Sequence, residues 1–184
     1  MAEYYYTSAS LPMVSFEQAP PVTAEYFLET CKYTLKDADY KILISALLLP
    51  EAGSDFPAVS KWRSWETTLR NELARLRAQN TGFDADEFIK ECDFMTGAYS
   101  AAKDALSAAD PAAGEYLLDK ARWTFLDELE LGHHFDLTKL VVYYLKLQIA
   151  ERRSAMTKEN GEKKYEELYN HITDKIHQSY DGEL

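Results

Sequence analysis

Apolar residues recur at helical spacing along most of this chain, and almost nowhere in the alternation that a half-buried strand requires. Trp62, Trp65, Leu69, Leu73 and Leu76 follow steps of three and four, predicting a helix opened by Ser60, running to about Asn80 and stopped by Gly82. Two further stripes flank Gly132: Leu118, Ala121, Phe125 and Leu129 before it, and Leu137, Leu140, Val141, Tyr144 and Leu147 after it. They predict a helical hairpin with marked ends. Asp110 suits the cap that accepts bonds from free N–H groups, and Pro111 the first helical position, where no N–H is needed. Gly132 suits the left-handed residue that closes a helix. Tyr165, Leu168, Tyr169, Ile172 and Ile176 predict a last helix, starting near Thr157 or Asn160 and ending in a fraying Asp-Gly-Glu-Leu tail.

The first half is less regular. Thr23 reads as a helix cap with Glu25 in the first turn, placing Tyr26, Phe27, Thr30 and Cys31 on one face. A second helix from Asp37 turns Tyr40, Leu43, Ile44 and Leu47 inward, with Ile42, Leu48 and Leu49 widening the stripe. Asp84 to Ala109 reads as helical through Phe88, Ile89, Cys92, Met95, Tyr99, Ala102 and Leu106, with an interruption at Gly97. Tyr4 to Phe16 reads as an extended segment or short strand, and Ala19 to Val22 as a stiff connector. Pro50 to Pro57 is a loop by composition and the best hinge candidate. The expectation is an all-α single domain, 1–184, of about six or seven amphipathic helices with a short extended N-terminal segment. The loop divides it into sub-lobes 1–56 and 57–184.

Composition supports a packed core: 46% of residues are hydrophobic, 28% are charged, and glycine and proline are few. Charge narrows the partners. Thirty-one acidic against 20 basic side chains give a net charge of −11, which repels nucleic acid and anionic lipid. MAEYYYTSASLPM has neither the basic start nor the oily core of a secretory signal, and the longest oily run, Ile42 to Leu49, is too short to span a bilayer. A cytoplasmic location follows, without direct membrane insertion but open to a peripheral seat through a complex. Cys31 and Cys92 sit in apolar helical patterns and read as buried free thiols.

Catalytic constellations are missing. Glu130 precedes His133 by three residues, but a di-iron carboxylate site needs two such pairs, and Gly132 splits this one. His133 and His134 fit the exposed carbonyls of a helix end better. His171 and His177 fall on different faces. No nucleophile elbow or glycine-rich phosphate loop occurs, so neither catalytic residues nor cofactors are expected. Arg63, Arg70 and Arg77, seven apart, line one helix face and offer guanidinium forks to an acidic partner; Arg152 and Arg153 form a second, weaker candidate. The bland alternative is a solvated face paired with Glu66 and acids on neighbouring helices. Trp62, Trp65 and Trp123 read as core or seam. Tyr143 and Tyr144 point in different directions, so burying one exposes the other.

Three segments carry a resemblance: Tyr4-Tyr5-Tyr6 with Ser10-Leu11-Pro12, SKWRSWETTLRNELARLRA from Ser60 to Ala78, and LLDKARWTFLDELELGHHFDLTKLVVYYLKLQIAERR from Leu117 to Arg153. Together they resemble a bacterial family associated with V/A-type ATP synthases. The last segment also looks like the helical subunit, called C or d, that links the central stalk of those machines to the membrane ring. The resemblance implies a helical, non-enzymatic subunit whose partners are the central stalk and the rotor ring. This chain is much shorter than the usual three-lobed form, which bears on whether it holds a full socket for the stalk. Two other readings compete: a free-standing helical interaction module, and a bundle holding a metal or small molecule near Glu130 and His134.

Overall fold

The structure, a computed structural model, describes residues 2–49, 54–82 and 84–181. Positions 50–53 of the expected hinge loop and the tail beyond 181 lie outside them. Among the described residues there are helices and connecting segments, with no strand. In chain order the helices are α1 (Ala2–Ser10), α2 (Ala24–Thr34), α3 (Asp37–Ile44), α4 (Pro57–Thr81), α5 (Ala98–Leu106), α6 (Pro111–Glu130), α7 (Leu137–Ala155) and α8 (Lys158–Asp181). The all-α class holds, with more helices than the apolar pattern suggested.

Helix α7 is the axle of the body. Every residue from Leu140 to Leu147 is buried, as are Leu137, Ile149 and Ala150. A helix covered all round needs neighbours on every side, and α1, α2, α3, α4 and α6 pack against it. Tyr143 and Tyr144 are therefore both buried, correcting the expectation that one faces outward. Phe27 of α2 reaches both rings, with centroids 5.1 and 6.0 Å apart, and the Tyr143 hydroxyl donates to the Pro12 carbonyl at 2.9 Å.

Polar side chains of α7 fasten the outer elements. The Gln148 amide donates to the Ala46 carbonyl at 2.9 Å and accepts from the Leu48 N–H at 3.3 Å. Glu151 accepts from the Ala24 N–H at 2.7 Å, satisfying a free donor at the start of α2. Thr23 also caps α2, accepting from the Tyr26 N–H, and Asp110 caps α6, accepting from the Ala113 N–H at 2.8 Å. Gly132 has φ +82° and Gly82 φ +75°, the left-handed closures their positions demanded.

Four local expectations are corrected. The N-terminal segment is not extended: residues 2–10 form α1, held by the Tyr4 hydroxyl on Asp39 of α3 and by the burial of Thr7. Tertiary contacts override the tyrosines' extended preference there, and only the stretch after Ser10 stays irregular. Helix α4 starts at Pro57, whose ring suits the first helical position, rather than at Ser60. Residues 84–97 are mostly non-helical, so Phe88 and Cys92 are exposed and only α5 remains of the fourth region. The chain instead uses Asn71 as a surrogate strand edge: its amide donates to the Lys90 carbonyl at 2.7 Å and accepts from the Lys90 N–H at 3.0 Å. Finally, α3 ends at Ile44: Leu43 is buried as expected, but Ile44 and Leu47 are exposed and Ala46 is buried in their place.

Helix α5 buries Ala98, Ala102 and Ala105 between α4 and α6. These small side chains permit close approach. At Gly114 of α6 an added Cβ would lie 2.8 Å from the Ala105 carbonyl oxygen.

Candidate functional site

Helix α4 presents Trp62, Trp65, Leu69 and Leu73 to the interior, with Trp65 stacked on Phe125 of α6 at 4.8 Å between centroids. Glu66 lies on that same buried face with no exposure at all. A buried carboxylate must be paired, and the pairing runs across three helices. Glu66 Oε2 accepts from Arg122 Nε at 2.9 Å, and Oε1 accepts from Arg122 Nη2 at 3.0 Å and from Arg70 Nε at 2.8 Å. Arg122 Nη1 donates to Asp119 at 3.0 Å, Asp119 lies 3.3 Å from Arg152 Nη2 of α7, and Arg152 also holds Glu115. The order Arg70, Glu66, Arg122, Asp119, Arg152, Glu115 alternates in sign from one end to the other.

Burial lowers the Arg122 guanidinium pKa, but the bonds and charge of Glu66, with those of Asp119, outweigh it and raise the pKa above its ordinary value. Burial lifts the Asp119 carboxyl above its ordinary value, against the pull of Arg152 and Arg122. These opposite tendencies come from one fact: the network is held by mutual attraction in a place that disfavours charge.

The outer side of this network forms the floor of a cleft of about 750 Å³. Arg70, Arg77, Lys90, Arg122 and Arg152 line it, against Glu115 and Asp84. Among the described residues no carboxylate lies within ion-pairing distance of Arg77 or Lys90, and the buried Nε of Arg152 has no acceptor. An acidic chain thus concentrates unspent positive charge in one concavity.

Three of the arginines singled out by sequence, Arg70, Arg77 and Arg152, meet in this cleft. Two do not. Arg63 lies along α4 by a separate depression with Lys90 to Asp93, 3.9 Å from Asp55. Arg153 points to another face, where its guanidinium stacks over Phe16 at 3.9 Å and Tyr116 at 4.9 Å and approaches Glu17 at 3.8 Å. Sequence reasoning named Glu66 only as a partner of the arginine face on a solvated surface, a pairing that Arg70 does make, and passed over Arg122. The signal was present: Glu66 interrupts the Trp62–Leu69–Leu73 stripe, and Arg122 sits midway between Leu118 and Leu126. Two opposite charges on apolar stripes of neighbouring helices invite pairing.

At the hairpin turn, His133 Nδ1 contacts Asp136 at 2.5 Å while Asp136 caps α7 through the Lys139 N–H. Glu130 is taken by Lys139 and Lys146, and Lys146 also reaches Asp127 at 2.7 Å. Burial acts to raise the Glu130 pKa, but the two lysines prevail and hold it below the usual carboxylate range. Among the described residues no three His, Cys, Asp or Glu side chains converge in a way that suits a metal ion. None of the described helices is long and apolar enough to cross a membrane.

Residues 104–176, under half of the chain, match a protein family described as a protein of unknown function, DUF2764. The match begins within α5 and takes in α6, α7 and most of α8, so it contains Asp119, Arg122 and Arg152 but nothing of α4. No curated protein and no solved structure matches the chain.

Proposed function

We propose that this chain is a non-catalytic helical adapter in a bacterial V/A-type ATP synthase, joining the central stalk to the membrane rotor ring at the cytoplasmic face. The resemblance of the α4 and α6–α7 segments to proteins of that machine supplies the assembly. The cleft supplies the means of attachment, and it carries the reading. Arg70 and Arg77 are far from Arg152 in the chain, yet they share one concavity with Lys90, which no carboxylate among the described residues pairs. Its chemistry suits an acidic segment of a partner, because guanidinium forks and a lysine without a counter-ion gain most from carboxylates. A central helix wrapped by five others, cross-tied by a buried ion network, is also a body that transmits force without deforming.

The test is affinity purification of the tagged protein from its native cell under gentle conditions. The expected result is co-recovery of catalytic-head and ring subunits, sharply reduced for Arg77→Glu with Lys90→Glu while thermal unfolding stays unchanged. Recovery of no ATPase subunit sinks the proposal. Recovery of an unrelated acidic protein through the same cleft would make the chain a free-standing interaction module.

A further inference from the structure

After α4 the chain runs back along that helix as a strap, residues 84–97, with little regular structure. It is acidic: Asp84, Asp86, Glu87, Glu91 and Asp93 surround a single base, Lys90. Its apolar packing is thin, with Ile89 and Met95 half-buried and Phe88 and Phe94 66% and 72% exposed. What fastens it is polar. Thr68 and Asn71, one turn apart on α4 and themselves buried, clasp three strap residues. Asn71 bonds both the N–H and the carbonyl of Lys90, Thr68 Oγ1 donates to the Asp93 carbonyl at 3.4 Å, and both side chains meet Cys92 Sγ at 3.6 Å. A segment held by a few polar bonds and little buried surface opens at low cost.

The clasp decides which charge the strap shows to the cleft. Phe88 and Lys90 line the cleft with Arg70 and Arg77, whereas Glu91 and Asp93 line the separate depression by Arg63, which Lys90 also borders. Hydrogen bonds are directional, so an amide that reads both peptide groups of one residue fixes register as well as position. A slip of one residue would set the acid Glu91 where the base now stands. We infer that Asn71 is the positioning residue of this cleft: it holds the strap as a closing wall whose one base, Lys90, faces an acidic segment gripped by Arg70 and Arg77. The inference rests on the reading that the cleft takes carboxylates. An acidic segment that bonds Lys90 and Arg77 together joins strap to helix across the cleft. It therefore binds the closed strap better than the open one and, by linkage, draws it shut. Asn71 also lines the cleft, but its amide is already engaged by Lys90 and Cys92, which leaves it to act through the strap.

The test is binding of labelled hexaglutamate to the whole chain at low ionic strength, followed by fluorescence anisotropy. Lys90→Ala and Asn71→Ala should each weaken binding by about tenfold, and the double variant by no more than either alone, because both remove the same contact. Arg77→Ala removes a different contact, so its effect should multiply with that of Asn71→Ala. Exchanging the two neighbours, Lys90→Glu with Glu91→Lys, keeps the composition and alters only exposed side chains, so the fold is retained. It should weaken binding at least as much as Lys90→Ala. Hexaglutamate should also slow amide hydrogen exchange across residues 84–97 in the parent, and much less in Asn71→Ala. The inference alone is overturned if the parent binds and Arg77→Ala weakens binding, but the effects of Asn71→Ala and Lys90→Ala multiply. It is equally overturned if the neighbour exchange leaves affinity unchanged, or if the peptide leaves hydrogen exchange of the strap unchanged. A parent that binds no hexaglutamate overturns the cleft reading together with it.

Discussion

Replacing Arg122 by Met tests whether the buried ion network holds the three helices together. Methionine keeps most of the side-chain length, so little cavity forms and the measured effect is chiefly electrostatic. The Arg122 and Glu66 side chains are 6% and 0% exposed, which removes solvent screening from the estimate. Breaking a buried pair by deleting one member costs about 3–5 kcal/mol. Arg70 still bonds Glu66 and Arg152 still approaches Asp119, which favours the lower end, about 3 kcal/mol. For a domain of this size that is a fall in Tm of about 6–12 °C. The double variant Glu66→Leu with Arg122→Met removes both charges and should lose less than the two single changes added together. Urea unfolding followed by circular dichroism, with calorimetry for Tm, measures all three. A single Arg122→Met variant within about 1 kcal/mol of the parent would refute the reasoning, because the carboxylate of Glu66 would then be satisfied without it.

Three other outcomes are accessible. Gly114→Ala should destabilise the protein by about 1–2 kcal/mol in urea unfolding, since the new methyl meets the Ala105 carbonyl and overpacking exceeds the usual helix-propensity gain; a more stable variant would show that α5 yields freely. The stability advantage of the parent over Glu130→Gln should be constant above about pH 4.5, the ordinary carboxyl value, and shrink as pH falls through the lowered native value; an advantage that grows on acidification would contradict the Lys139 and Lys146 pairing. A thiol reagent should modify one cysteine of the native protein, the exposed Cys92, and reach Cys31 only on unfolding, because Cys31 is buried and its thiol is pushed up to about 12.

Helices with strong stripes and marked ends were legible in the chain: Asp110, Pro111, Gly82 and Gly132 act where their chemistry requires. The misreadings share one cause. Hydropathy reports how oily a face is, not whether another element covers it. Phe88 and Cys92 lie in an apolar pattern but outside any helix, and α8 carries a stripe the body does not use. Conversely, α1 forms in a stretch with little helical signal because Asp39, from the third helix, holds Tyr4. The candidate cleft was half legible: a seven-residue spacing aligned Arg70 with Arg77, but only the hairpin's packing brings Arg152 beside them.

Gln148 offers a last consequence. Its amide reads the chain at Ala46 and Leu48 in both senses, giving to one peptide group and taking from another. A carboxylate of equal size has nothing to give, and an aliphatic chain can do neither. So a half-buried, uncharged position that hydropathy would rank as dispensable tolerates no isostere, and Gln148→Glu should loosen the end of α3 while leaving the centre of α7 intact.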